Sequence, residues 1–261
     1  GARAGGGRVR RRAQAPAGAG LAARTAVARA RHRAPVNSVV VRLLLVNPNT
    51  TSTMTAAIGA SASAVAHAGT VVEALNPVDG PASIENEDDE HRCIPGLLEV
   101  LKTAAARPEH QRPDAYVVAC FGDPGLEEAR ALLGAPVLGI AQAAMHAAAL
   151  AAGSFSVVTS MSATISRAWQ LAKAYTPHQC LGVYACDIPV LQIDSDPASI
   201  EPIGDLCASA LKQDGSRAIV LGCAAMAPFA APLTRRLGVP VIDGVVAATL
   251  LAEALAALTP S

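Results

Sequence analysis

Short apolar runs recur along the chain, each closed by a turn and followed by a stretch with helical spacing. "VVVRLLLV" (39–46) runs into Asn47-Pro48-Asn49, a turn, after which Thr50, Thr51 or Ser52 is placed to cap a helix. "TVVEALN" (70–76) reads as a second strand, and "DDEHRCIPGLLEVLKTAAA" (88–106) as a helix that Pro95 must start, kink or interrupt. "DAYVVACF" (114–121) is a third strand. The helix expected from "DPGLEEARALLG" (123–134) has Asp123 as cap and Pro124 at its first position. "PVLGI" (136–140) and an Ala-rich helix over 142–152 follow.

The order then repeats. "FSVVTS" (155–160), "CLGVYACDI" (180–188), "RAIVLGC" (217–223) and "PVIDG" (240–244) read as strands. "SATISRAWQLAKAY" (162–175), "SIEPIGDLCASALKQD" (199–214), "AAMAPFAAPLTRRLG" (224–238) and "VVAATLLAEALAAL" (245–258) read as helices. Alternating apolar strands and helices predict parallel sheets covered on both faces. Sixteen positions separate Cys120 from Pro136, and seventeen separate Cys223 from Pro240. The expected fold is therefore α/β, with two pseudo-symmetric lobes over about 39–150 and 151–261. Each lobe is a mostly parallel sheet flanked by helices, and the active-site cleft lies between them.

Composition changes this picture at one end only. Residues 1–38 carry nine arginines and no acid, leaving 12 basic against 21 acidic residues in the rest of the chain. This Arg/Ala/Gly-rich head has no apolar run and is expected to be disordered. Three readings compete for it: an artefact of where the chain begins, since residue 1 is Gly; an organelle transit peptide; and a nucleic-acid-binding tail. The first is preferred, then the second. No apolar stretch reaches the roughly 18–20 residues of a membrane span, so a soluble, cytoplasmic protein is expected, with organelle import if the head is a transit peptide. Neither membrane nor nucleic acid is an expected partner.

The candidate chemistry lies at the strand ends, where ligands of open parallel sheets sit. Cys120 and Cys223 occupy matching strand ends in the two halves. One thiol on each wall of a cleft suits inversion of a carbon centre, because a thiolate removes a proton from one face and a thiol returns one to the other. Each cysteine is expected at the start of a following helix, whose dipole favours the thiolate. No cofactor or metal is required. Asn47, Gly122, Thr159, Ser160 and Ala224 are the candidate substrate-binding residues. The plain alternatives are a turn for Asn47 and Gly122 and helix capping for Thr159 and Ser160. Cys93, Cys180, Cys186 and Cys207 are read as packing. "ENEDDEH" (85–91) is read as a solvated acidic helix start rather than a metal site.

"VNPNT", "GPASIE", "ACFGDPGL", "VVTS", "LGCAAM" and "PVIDGV", in that order, resemble the hydantoin and allantoin racemases of the aspartate/glutamate racemase superfamily. The resemblance spans nearly all of Leu43 to Leu258. It implies a two-lobed α/β fold, a cofactor-independent two-cysteine isomerase acting on 5-substituted hydantoins, catalytic roles for Cys120 and Cys223, and a homo-oligomer. The chain departs from the family's usual Gly-Cys-Ala-Gly-Met at Ala225, which bears on substrate range. A maleate-isomerase-like reaction is the alternative among enzymes. Outside enzymes, the alternative is a small-molecule-binding protein on the same scaffold.

Overall fold

The computed structural model describes residues 1–2 and 40–259, so the expectations for the Arg-rich head lie outside the described residues apart from its first two. Strands β1 (Arg42–Val46), β2 (Val71–Leu75), β3 (Ala115–Val118) and β4 (Val137–Gly139) form one sheet in the order β2-β1-β3-β4. Strands β5 (Phe155–Thr159), β6 (Cys180–Ala185), β7 (Ile219–Gly222) and β8 (Val241–Asp243) form a second in the order β6-β5-β7-β8. Every pairing is parallel. The expected strands are all present, and the α/β class holds.

Both sheets change direction at the same place. After β1 the chain adds β2 on one side and β3 on the other, and after β5 it does the same with β6 and β7. Connections then leave to opposite faces, opening a crevice at the strand ends. Val46 pairs with Val118 and Thr159 with Gly222, so Asn47 and Cys120 leave one crevice as Ser160 and Cys223 leave the other.

The helices are α1 (Ser52–Ser63), α2 (Glu87–Ala105), α3 (Leu126–Leu132), α4 (Ile140–Ala152), α5 (Ile165–Tyr175), α6 (Val190–Ser195), α7 (Ile200–Asp214), α8 (Ala230–Leu237) and α9 (Gly244–Leu258). Four differences from expectation have local causes. Asp123 and Pro124 stand before α3 rather than in it; the chain turns through positive φ at Asp123 and Gly125, and Gly125 is the residue that opens the helix. Pro95 lies within α2, at an exposed position. Residues 224–229 form a 3-10 turn before α8 starts at Ala230. Helix α6 spans only six residues, too few to show a period.

Strand alternation sorts the core. Leu43 and Leu45 face α1 and α9, while Leu44 and Val46 face α2 and α3. The last helix of each half covers the other half's sheet. In α4, Ala144, Met145 and Ala148 pack with Phe155, Val157 and Val220 of the second sheet; in α9, Val245, Ala248 and Ala252 pack with Leu43, Leu45 and Val117 of the first. Small side chains let these two helices approach closely. A Cβ placed on Gly244 would stand 2.7 Å from Ile140 Cβ and 2.5 Å from its carbonyl oxygen. Among the described residues, no helix is long and apolar enough to cross a membrane.

The Gly244 contact carries a direct test. Gly244→Ala forces α4 and α9 apart at their first turns and is expected to cost about 1–3 kcal/mol of stability, as overpacking of a tight contact does. Urea unfolding measures it, and an unmoved midpoint would mean the two helices part without cost.

Candidate active site

Asn47, Cys120, Gly122, Thr159, Ser160, Cys223 and Ala224, the seven residues singled out from the sequence, all line one narrow cleft of about 40 Å³. The first three come from one half and the last four from the other.

Both cysteines are half-buried in the wall of this cleft. Burial pushes Cys223 up to about 11, opposed by the Ala225 N–H and the Ser160 hydroxyl that bond its sulfur. Burial also pushes Cys120 well above the ordinary thiol range, while the Gly122 N–H holds it down. Charge on Cys93, Glu90 and Cys223 raises Cys120 further. The expected help from helix dipoles is not there for Cys120. Six positions separate it from Leu126, the first residue of α3. Cys223 precedes only the 3-10 turn. Backbone N–H groups two residues on oppose the effect of burial only in part, and both thiols stay above the ordinary range.

The neighbouring polar residues are mostly engaged by the protein itself. The Asn47 amide donates to Asn49 Oδ1 (2.8 Å) and Thr55 Oγ1 (3.1 Å), and its Oδ1 accepts from Asn49 N–H. This is the turn-forming role. Asn49, read from the sequence only as part of the turn, has its amide nitrogen 3.5 Å from the Met54 sulfur. Thr51 opens α1 without a side-chain cap, because its hydroxyl donates to Ala82 O instead (2.7 Å). Thr159 joins Thr164 Oγ1 (2.8 Å) and Gly222 O (3.2 Å), tying β5 to β7.

Asp123 has a different job from the one expected. Its carboxylate accepts from the N–H groups of Ala141 and Gln142 at 3.0 and 2.9 Å, capping α4 rather than α3. The positive φ turns it that way, and the missing Cβ of Gly139 leaves it room. Burial nonetheless raises its pKa to about 7, against these two N–H groups and the Tyr175 hydroxyl.

Two charged cleft residues escaped the sequence reading. Glu90 belongs to the acidic run read as solvated, and Glu87 and Asp88 are indeed exposed. Glu90 turns inward because it shares the buried stripe of α2 with Cys93, Leu97 and Leu101. That helical spacing was the available signal. Burial raises its pKa, with Arg167 opposing. Arg167, on α5, lies 3.4 Å from the Glu90 carboxylate and donates twice to Gly122 O, at 3.0 and 2.8 Å. The Glu90 carboxylate in turn rests on Gly122, where a side chain would collide with it. Among the described residues no cluster of His, Cys, Asp and Glu could hold a metal ion.

Two parallel four-stranded sheets about a shared cleft are the architecture of the racemase superfamily. The chain belongs to the Asp/Glu/Hydantoin racemase family, whose model matches residues 43–252. The hydantoin racemase of Rhizobium meliloti is 44% identical over 193 residues, which is 73% of this chain and 78% of that protein. Among solved structures, the allantoin racemase from Klebsiella pneumoniae is 46% identical with a TM-score of 0.79, the match covering 84% of this chain and 88% of that one. The allantoin racemase from Pseudomonas fluorescens is 34% identical with a TM-score of 0.78, covering 84% and 92%.

The Asp123 environment gives a pH prediction. An acid whose folded pKa exceeds its unfolded value, about 3.9 for Asp, stabilises the fold below the unfolded value. It loses that contribution as pH rises through the folded one, here about 7. The stability advantage of the parent over Asp123→Asn is therefore expected to shrink between about pH 5 and about pH 8. Urea unfolding of both proteins at the two pH values measures it. An advantage that stays constant between the two pH values would show that the carboxylate is ionised throughout.

Proposed function

We propose that the chain racemises 5-substituted hydantoins by proton abstraction and return at C5, with Cys120 and Cys223 on opposite faces of the ring. The observation that carries this is the pair of thiols, one from each half, in the wall of one cleft. One cysteine, as thiolate, takes the C5 proton and becomes a thiol. The electron pair left on C5 spreads into the adjacent ring carbonyl. The other thiol then gives its proton to the opposite face and becomes the thiolate. Atoms and charge balance, and the two sulfurs end with their roles exchanged.

The remaining cleft residues divide into support and contact. Gly122 N–H steadies Cys120; Ser160 and Ala225 N–H steady Cys223. Asn47 and Thr159 shape the cleft wall, and Ala224 and Asn49 face the ring. A carbon acid flanked by a carbonyl and a ring nitrogen is within reach of a thiolate, whereas a free amino acid holds a much weaker one. The guanidinium in the cleft, Arg167, already faces the Glu90 carboxylate, whose charge opposes a second carboxylate there, which supports neutral rings over free aspartate or glutamate. A homo-oligomer working in the cytoplasm completes the proposal, on the family resemblance alone.

Cys120→Ser and Cys223→Ser are each expected to cut racemisation by about 10²- to 10⁴-fold or more, because a hydroxyl is too weak an acid to supply either partner. Polarimetry of an enantiopure hydantoin measures the loss, and proton NMR in D₂O reports exchange at C5. Either variant retains exchange with one enantiomer through its surviving sulfur. Racemisation by Cys120→Ser at the parent rate would sink the two-thiol assignment.

The raised thiol pKa values add a second expectation. Thiolate is scarce at neutral pH, so the parent kcat/KM should climb between about pH 7 and about pH 9. A flat profile over that range would mean a thiolate is already formed at neutrality.

A further inference from the structure

The catalytic cleft, of about 40 Å³, is the smaller of two neighbouring spaces. Beside it lies a second cavity of about 330 Å³. The two share Glu90, Thr164 and Arg167 in their walls. A ring held between the cysteines has these three residues in the wall of its own cleft, on the side of the larger space. What stands on the boundary therefore reads the substituent.

The pair on that boundary is incompletely satisfied. Glu90, whose side chain is only 13% exposed, meets Arg167 Nε at 3.4 Å, and its carboxylate accepts no hydrogen bond among the described residues. Arg167 commits Nε and Nη2 to Gly122 O, while Nη1 makes no hydrogen bond among the described residues. One carboxylate open to donors thus stands beside one guanidinium N–H open to an acceptor. Gln170, further into the side cavity, adds an amide. Burial raises the Glu90 pKa, as expected for a carboxylate lacking donors.

We infer that Glu90 and Arg167 determine substrate specificity by binding the 5-substituent, and that they select neutral groups carrying both N–H donors and a carbonyl, the ureido and carboxamide class. A ureido group presents N–H donors to Glu90 and its oxygen to Arg167 from one planar unit. An apolar substituent strips water from the pair and returns no hydrogen bond, which a buried polar site penalises. An anionic substituent meets the Glu90 charge. This inference rests on the hydantoin-racemase reading and adds to it the basis of discrimination.

The test compares kcat/KM for enantiopure allantoin, which carries a ureido group, with that for 5-methylhydantoin and 5-benzylhydantoin, each corrected for uncatalysed racemisation. The parent is expected to favour allantoin. In Glu90→Ala the ratio of allantoin to 5-methylhydantoin is expected to fall about tenfold or more, the loss typical of a hydrogen bond to a charged group. The isosteric Glu90→Gln is expected to lower it less, and Arg167→Lys to lower it as well. A ratio is the decisive readout because any effect of Glu90 on Cys120 acts on all three substrates and cancels. Should Glu90→Ala fail to fold, the same ratio is read from Glu90→Gln and Arg167→Lys. A parent that prefers 5-benzylhydantoin, or variants whose ratio stays within about twofold of the parent, would overturn the inference and leave the racemase reading standing. A parent that racemises no hydantoin overturns both.

Discussion

The close approach of α4 and α9 at their first turns fixes where everything else can lie. Each helix leaves a strand of its own half and then covers the other half's sheet. Gly244 lets them meet almost backbone to backbone at Ile140. The two sheets are held by this exchange in one relative position, and interiors packed at crystal-like density do not deform smoothly. Small residues along both helices are the condition for it, which gives physical sense to a core rich in alanine and poor in aromatics.

From that constraint the cleft follows. Both crevices open where β1 parts from β3 and where β5 parts from β7, and the exchange sets these strand ends about a common space. Side-chain ties cross it. Glu85 accepts from Val190 N–H at 2.9 Å, Thr53 donates to Asp194 at 2.9 Å, and Arg167 reaches Gly122 O. Each tie joins a residue of the first half to one of the second. A cleft spanned so often is narrow, and narrowness removes water from the thiols. The raised pKa of both sulfurs comes from the same geometry that brings them together.

The strands and the cleft residues were legible in the sequence because their signals are local. A continuous apolar run ending in Cys120 or Cys223 needs no tertiary knowledge to be placed at a strand end. Counting from those ends was enough to pair the halves. The features that escaped depend on what lies across the fold. Asp123 looks like the cap of the next helix by adjacency, yet it caps α4, because the chain turns at positive φ and Gly139 leaves a gap. Glu90 sits among acids that do face water, and only its register with Cys93 and Leu97 marks it as inward. Arg167 becomes a cleft residue through a carbonyl 45 positions away. The exchange of α4 and α9 leaves no trace in hydrophobic period, since a helix reads alike whichever sheet it covers.

The two sulfurs are matched but not equal. Each receives an N–H from the residue two positions on, Gly122 or Ala225, and each has an acid nearby, Glu90 or Glu85. Cys223 alone has a hydroxyl donor, Ser160. In an enclosed cleft a charge on one sulfur opposes a charge on the other. The singly ionised pair is thus the form in which one sulfur is a base and the other an acid, as the proposed reaction requires. Ser160 biases the charge towards Cys223. That bias cannot make the enzyme favour one enantiomer as a whole. Enantiomers of one hydantoin have equal free energy, so the forward and reverse kcat/KM values must be equal whatever the protein does. Inequality between the sulfurs can surface only as compensating differences in kcat and KM for the two hands. Near-equivalence of the two halves is therefore not imposed by thermodynamics; in the proposed reaction, the N–H two positions after each cysteine favours its thiolate and so serves either direction.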